Sequence, residues 1–358
     1  MSKAKALVIL SPGFPANEAD STCLPLQQIL VKTLKEMNPG LNIIVLAFQY
    51  PFKSARYQFH GVDVIAFGGK SRGGIFRVLN WLRIWLTLRK LNKQYQLIGL
   101  LSFWLGECAF ISNKFAKWNR LKHFCWILGQ DAKPGNKYIK WTKPTANSLI
   151  ALSDFLAAEF SKNYDIMPLH LIPPGIDTTL YKSSVVIERD IDILGAGSLI
   201  PLKQYDLFIN IINLLRKYSP DIKAVICGQG PEGERLKAMI KVLDLEKNIE
   251  LTGELPHSSV LELMQRSKVF LHTSAYEGFV VVCLEALYAG AQVVSMVRPM
   301  NAPIENWYII QNQVDMAHKI KELLDDPAID YKSVLPYAIQ DTANAMMQLF
   351  DQSDSAIA

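Results

Sequence analysis

The sequence predicts an α/β protein built as two consecutive doubly wound domains. Three observations predict it. Short, nearly continuous apolar runs alternate with segments of helical periodicity, the pattern of parallel strands covered on both faces. The alternation stops at "LIPPGIDTTLYKSSVVIERD" (171–190), a stretch with two prolines and a glycine, and then starts again. The chain has 358 residues, more than one hydrophobic core usually serves.

In the first half, "KALVILSP" (5–12), "LNIIVLAF" (41–48), "VDVIAFGG" (62–69), "LIGLLSFW" (97–104), "HFCWILGQ" (123–130) and "SLIALSD" (148–154) read as strands. Helical spacing is clearest at 22–37, 75–92 and 105–118. In the second half, strands are expected at 190–197, 222–230, 248–255, 268–274 and 291–297. Helices near 203–217, 232–244, 257–266 and 280–289 separate them. The expected division is 1–180 and 181–335, with 336–358 crossing back to the first domain as the end of helices near 313–325 and 330–350. In such folds ligands bind beyond the carboxyl ends of the strands.

Composition narrows the class. Half of the residues are hydrophobic and 20% are charged, as in globular proteins. No uninterrupted apolar stretch is long enough to span a bilayer. The start, "MSKAKALVILSPGF", lacks a small-residue cleavage site after its apolar run and reads as a first buried strand. Cys23, Cys108, Cys125, Cys227 and Cys283 are scattered and form no C-x-x-C pair. That argues for a reducing, cytoplasmic setting and against a zinc site.

Residues 1–190 carry 24 Lys and Arg against 12 Asp and Glu, a net +12, whereas residues 191–358 carry 14 against 21, a net −7. The two halves should therefore meet different partners. Residues 64–106 contain no Asp or Glu. Within them "RVLNWLRIWLTLRK" (77–90) sets Arg77, Asn80, Arg83, Thr87 and Lys90 at helical spacing, among Leu, Ile, Trp81 and Trp85. A basic helix with tryptophans suits an anionic membrane surface, reached through residues 70–93; the alternative is a helix buried on one side with a solvated basic edge. No nucleic-acid motif accompanies the charge, so nucleic acid is not an expected partner.

Three stretches of the second half carry chemistry. In "ILGAGSLIPLK" a strand ends at Gly195 and Gly197, and Lys203 follows at a helix start, a turn that suits a diphosphate or simply a glycine turn with a solvated lysine. "VICGQGPEGERL" offers a second glycine turn at Gly228, weak by itself. "HTSAYEGFVVVCLEALYAG" (272–290) places Glu277 in the loop after a buried strand and Glu285 about two turns into an apolar helix. A buried carboxylate is costly without donors, and ribose hydroxyls would supply them. The alternative is a helix-dipole charge plus an internal salt bridge. Carboxylates tied into internal ion pairs would favour that alternative.

Taken together, "GAGSLIPLK", "CGQGPEGERL", "ELTGELPHSSVLELMQRSKVFLHTS", "LIPPGIDTTLY" and the E-x₇-E pair Glu277 and Glu285 resemble the group 1 (family 4) retaining glycosyltransferases of GT-B fold. The likeness covers nearly all of the second half and, more loosely, the first. It implies two Rossmann-like domains facing each other across a cleft. It implies no cofactor and no metal, a nucleotide-sugar donor (a UDP-sugar before a GDP-sugar), and a glycan or lipid-linked acceptor in surface polysaccharide or lipopolysaccharide assembly. By position, Lys203 would neutralise the diphosphate, Glu277 would hold the transferred hexose and Glu285 the ribose. Backbone around Gly278 and Phe279, with Gly197, Ser198 and Gly228, would meet the donor, and Gly13 of "SPGFP" would line the acceptor side.

Two positions depart from the family pattern. Ser198 stands where the family has Arg, and Leu128 where a His is expected, leaving Asp131 as the polar substitute or as a helix N-cap. These departures motivate one rival, a non-catalytic partner protein that only binds the nucleotide sugar; a second, a nucleotide-sugar 2-epimerase, shares the architecture and would need acid/base residues in the cleft.

Overall fold

The computed structural model describes residues 3–181 and 188–351. Residues 182–187 of the expected linker and the end of the 336–358 segment lie outside the described residues. The chain divides into one unit that runs to Gly175 and resumes at Ala338, and a second unit, Ile176–Tyr337.

The first unit opens with β1 (Lys5–Gly13), α1 (Pro25–Met37), β2 (Asn42–Tyr50), β3 (Ala55–Phe59), β4 (Val62–Ala66) and α2 (Gly74–Gln94). It continues with β5 (Gln96–Phe103), α3 (Glu107–Asn119), β6 (His123–Trp126), α4 (Tyr138–Thr142), β7 (Leu149–Ala151), α5 (Asp154–Tyr164) and β8 (His170–Leu171). The strands lie in the order β3-β4-β2-β1-β5-β6-β7-β8. All neighbours are parallel except the β3–β4 hairpin. The central strands are buried on both faces, and Ala6, Val8 and Leu10 of β1 share a core with Ile84 and Leu88 of α2 and Phe115 of α3.

The second unit is the more regular. It runs β9 (Ile191–Ala196), α6 (Tyr205–Leu215), β10 (Ala224–Cys227), α7 (Gly233–Val242), β11 (Ile249–Gly253) and α8 (His257–Arg266). Then follow β12 (Ser267–His272), α9 (Val281–Tyr288), β13 (Gln292–Ser295), β14 (Trp307–Ile309) and α10 (Gln313–Asp325). Its six strands are all parallel in the order β11-β10-β9-β12-β13-β14. The winding therefore reverses between β9 and β12, the topological switch point of a doubly wound sheet. One face packs α6 and α10 on Ile193, Ile226, Val269 and Val294.

Finally α11 (Ile339–Asp351) belongs to the first unit and packs on α1. It is shorter than the helix expected over 330–350, because Pro336 removes a backbone donor and biases Leu335 away from helical dihedrals. Its end is anchored by Phe350, whose ring meets Phe124 edge-on at 5.2 Å, and by the Lys122 amine on the Leu349 and Phe350 carbonyls.

The α2 helix corrects one expectation. Of the polar stripe read along 77–90, Asn80 is buried with its amide donated to the Phe48 carbonyl at 3.2 Å, and Arg83 reaches Ser54 Oγ at 3.1 Å. Trp81 and Trp85 also turn inward, Trp81 donating to Glu107 at 2.5 Å and Trp85 lying edge-on to Phe115 at 5.2 Å. Of the stripe only Asn80 is buried, Arg83 and Lys90 stay exposed, and the tryptophans are half-buried against the first unit's core.

Truncating Phe350 to Ala is expected to cost about 3 kcal/mol, the lower end of the range for a buried aromatic at a unit's edge. Urea unfolding of the full chain checks it, and a midpoint equal to wild type would show that α11 contributes little to the first unit.

Candidate functional site

The site is built from the loops that leave β9, β10 and β12 at the carboxyl edge of the second sheet. Backbone bonds lace these loops together. The Gly197 amide donates to the Cys227 carbonyl at 2.9 Å and the Leu199 amide to Gln229 at 2.9 Å. Gly228 has φ +144°, and a Cβ there would lie 1.9 Å from the Gly197 carbonyl oxygen. Its lack of a side chain thus serves the contact between two loops. Gly197 has φ +148°, and a Cβ there would lie 3.3 Å from the Tyr205 hydroxyl and 3.7 Å from Lys203 Cε, so the glycine lets both side chains approach the loop. Ser198, next in the chain, is exposed.

Lys203 ends a short 3₁₀ turn, Pro201–Lys203. The loop after β12 docks on that turn: Thr273 Oγ1 donates to the Lys203 carbonyl at 2.8 Å, and the Ala275 amide to Leu202 at 3.0 Å. This docking brings Glu277 to Lys203, with Nζ and Oε1 2.5 Å apart and the side chains 20% and 18% exposed. His272, the last residue of β12, lies behind them with Nε2 3.7 Å from the same carboxylate oxygen. It is 4% exposed. Burial, reinforced by the Lys203 charge, depresses its pKa to about 3, so the ring is neutral.

Glu285 stands on α9, one turn in rather than two, because the helix begins only at Val281. Its Oε1 meets Nε2 of His257, the first residue of α8, at 2.8 Å. That hydrogen bond raises the His257 pKa, against the opposing effect of burial. The buried Cys283 thiol, raised chiefly by desolvation, feels the charges of Lys203, Glu277 and Glu285 together. Both carboxylates therefore carry the internal pairing that the salt-bridge alternative requires. Phe279 is buried against Tyr337, with ring centroids 6.1 Å apart, and Gly278 precedes it in the same loop. The sequence reading missed His257 and His272; a histidine closing the apolar strand "KVFLH" was the available signal for the second.

Two expected residues lie in the first unit. Gly13 closes β1, packed so that a Cβ would lie 3.3 Å from Tyr50 Cβ. Asp131 is not an N-cap. It is the third residue of a 3₁₀ turn capped by Leu128, and its carboxylate accepts the Leu128 amide at 2.9 Å. The side chain is 5% exposed, and desolvation pushes its pKa up to about 7 despite backbone donors from Leu128 and Leu105.

Residues 177–341, which include Lys203, Glu277 and Glu285, match the family described as glycosyl transferases group 1. The chain is 28% identical over 167 residues to the gpi3 subunit of phosphatidylinositol N-acetylglucosaminyltransferase from Schizosaccharomyces pombe, covering 45% of this chain and 36% of that protein. An uncharacterized glycosyltransferase of Haemophilus influenzae is 23% identical over 263 residues, 70% of this chain and 73% of its own. This chain aligns with about a third of the length of the N-acetylglucosaminyltransferase proteins it matches. Among solved structures, a sucrose-phosphate synthase from Thermosynechococcus elongatus superposes with TM-score 0.70 at 15% identity, covering 97% of this chain and 95% of that one. Anabaena HepE in complex with UDP and glucose superposes with TM-score 0.66 at 18% identity, covering 97% and 96%. The chain thus has the GT-B fold, with a group 1 glycosyl transferase domain in its second unit.

The raised Asp131 pKa fixes the sign of a pH effect. Folded protein binds this proton more tightly than unfolded protein, so the stabilisation present at pH 4 is lost as pH rises toward 7. Across that window wild type should lose on the order of 3 kcal/mol relative to Asp131→Asn. Urea unfolding of both proteins at stepped pH measures the difference, and a flat difference would return Asp131 to an ordinary carboxylate.

Proposed function

We propose that the protein is a retaining, metal-independent glycosyltransferase that moves a hexose-type sugar from a nucleotide sugar to a glycan or lipid-linked acceptor. One observation carries this reading: Lys203 and Glu277, from loops on either side of the β9/β12 switch point, meet 2.5 Å apart at the carboxyl edge of the sheet. A cation and an acid at that edge suit a diphosphate and the sugar it carries. The two side chains keep 20% and 18% exposure, so a ligand can reach them.

In this mechanism the amine of Lys203 and the α9 amides beyond Gly278 and Phe279 take up charge on the departing diphosphate. The anomeric C–O bond breaks with its electron pair on the diphosphate. The acceptor hydroxyl forms the new bond from the same face, and its proton passes to the departing phosphate oxygen. Glu277 exchanges Lys203 for hydroxyl donors of the sugar, and Glu285 exchanges His257 for the ribose. Arg298, exposed three residues beyond β13 at the same edge, supplies the cation that Ser198 lacks. Two strand spacings, about 10 Å, separate β13 from β9, within reach of an arginine. The acceptor belongs to the first unit, with Gly13 and Asp131 on its strand ends.

The Schizosaccharomyces relative is named for phosphatidylinositol and N-acetylglucosamine, which supports a lipid-linked acceptor and a hexose-type donor. The Anabaena structure holds UDP and glucose, which supports a UDP-sugar over a GDP-sugar. Assembly of surface polysaccharide or lipopolysaccharide is the role that fits these substrates. The Lys203–Glu277 pair also favours one second reading, a non-catalytic nucleotide-binding protein in which the pair is only a bridge.

Purified protein incubated with a panel of UDP- and GDP-sugars, scored for released nucleotide, tests the assignment. Glu277→Gln is expected to lower turnover about a hundredfold while nucleotide affinity is kept or strengthened, because Lys203 is released from its pair. Glu285→Ala is expected to weaken nucleotide binding about tenfold. Nucleotide binding without turnover would establish the non-catalytic reading, and full activity in both folded variants would remove the carboxylates from the site.

A further inference from the structure

The outward side of α2 is apolar. Ile75, Val78, Leu79, Leu82 and Leu86 are each 50–70% exposed. At 100° per residue they fall on one stripe, which Arg89, Lys90 and Lys93 continue through the last turns. The opposite stripe, Asn80, Ile84, Leu88 and Leu91, is buried in the first unit. The helix is thus apolar on both sides, and its 21 residues extend about 31 Å. Contiguous apolar surface of this kind marks an interaction face. Two further cations flank its start: Arg72 lies over the Phe76 ring at 5.5 Å, and Lys70 is exposed. Beside Leu86 a groove of about 430 Å³ runs between α2 and the β3–β4 hairpin, with Arg56 and Arg83 in its walls.

We propose that this ridge docks on an anionic phospholipid bilayer. The apolar first turns enter the boundary between headgroups and acyl chains, while Arg89, Lys90 and Lys93 lie on lipid phosphates and Arg56 and Arg83 receive one headgroup in the groove. Charge decides the occupant. No Asp or Glu occurs in residues 64–106, so the ridge needs a partner that brings negative charge, and a second copy would bring the same cations. The surface differs from the one read in the sequence: the embedding residues are leucines, isoleucine and valine, and Trp81 and Trp85 are half-buried against the core of the first unit. The inference stands on this helix and its groove, whatever the second unit transfers.

Co-sedimentation of the full chain with phosphatidylcholine vesicles, with and without phosphatidylserine, tests it in the absence of any nucleotide. Wild type should pellet with the anionic vesicles and be released by salt. Leu82→Glu with Leu86→Glu should weaken binding about tenfold or more, and so should joint reversal of Arg89, Lys90 and Lys93 to Glu. Thermal unfolding like wild type in each variant shows that the fold is kept, since all these side chains are exposed. Wild type that stays in the supernatant, or ridge variants that bind as well as wild type, would overturn the proposal. So would a wild-type dimer that Leu82→Glu with Leu86→Glu dissolves, which would assign the ridge to a second copy.

Discussion

The reversal of winding between β9 and β12 is the constraint on which the site depends. Loops leaving two adjacent parallel strands run to opposite faces there, and a gap opens at the strand ends. Residues 74 apart in sequence, Lys203 and Glu277, are brought together by that gap. Backbone bonds hold most of the arrangement, joined by the Thr273 and Ser274 hydroxyls on the Lys203 and Leu202 carbonyls. The lacing of Gly197 to Cys227, Leu199 to Gln229 and Ala275 to Leu202 is backbone hydrogen bonding, and Gly228 permits it because no larger residue leaves room for the Gly197 carbonyl. Scaffold and chemistry are thereby separated: the backbone fixes the loops, and the charged ends can change partners.

Much of this was legible in the sequence, for physical reasons that also mark the limits. Strands such as β1 and β12 are buried on both faces and read as apolar runs, and glycine after β9 marks a turn. The spacing of Glu277 and Glu285 across a loop and a helix start survives as a pattern because both are local. The short strands β3, β8 and β14 were not legible, since two to five residues leave no periodicity to see. Nor were the partners of the carboxylates. His257 meets Glu285 across 28 residues, through the packing of α8 on α9, and nothing within "LPHSS" announces it. Asp131 reads as a cap, but whether a short turn caps itself from its third residue depends on how Leu105 and Leu128 converge.

The α2 helix shows a different limit. Periodicity identifies a stripe but not the side that meets the sheet, and here apolar residues lie on both sides. Ile84, Leu88 and Leu91 are the residues that go inward, and Leu79, Leu82 and Leu86 are left at the surface. Asn80 goes in with them, its amide sharing the Phe48 carbonyl with the Gly69 amide.

Electrostatics then limits how a diphosphate can be held in the second unit. In the structure Lys203 is compensated by Glu277, and the His272 ring, held neutral, adds no charge. A diphosphate brought to this balanced pair would meet no net attraction and a carboxylate close by. If Lys203 holds a diphosphate as proposed, Glu277 needs other donors, and the hydroxyls of the attached sugar would provide them. The remaining charge calls for helix-end amides and a further cation, since Ser198 offers neither. On the proposed function, a bare nucleotide would leave Glu277 competing for Lys203, while the intact sugar nucleotide would resolve the conflict and tie recognition of the sugar to recognition of the phosphates.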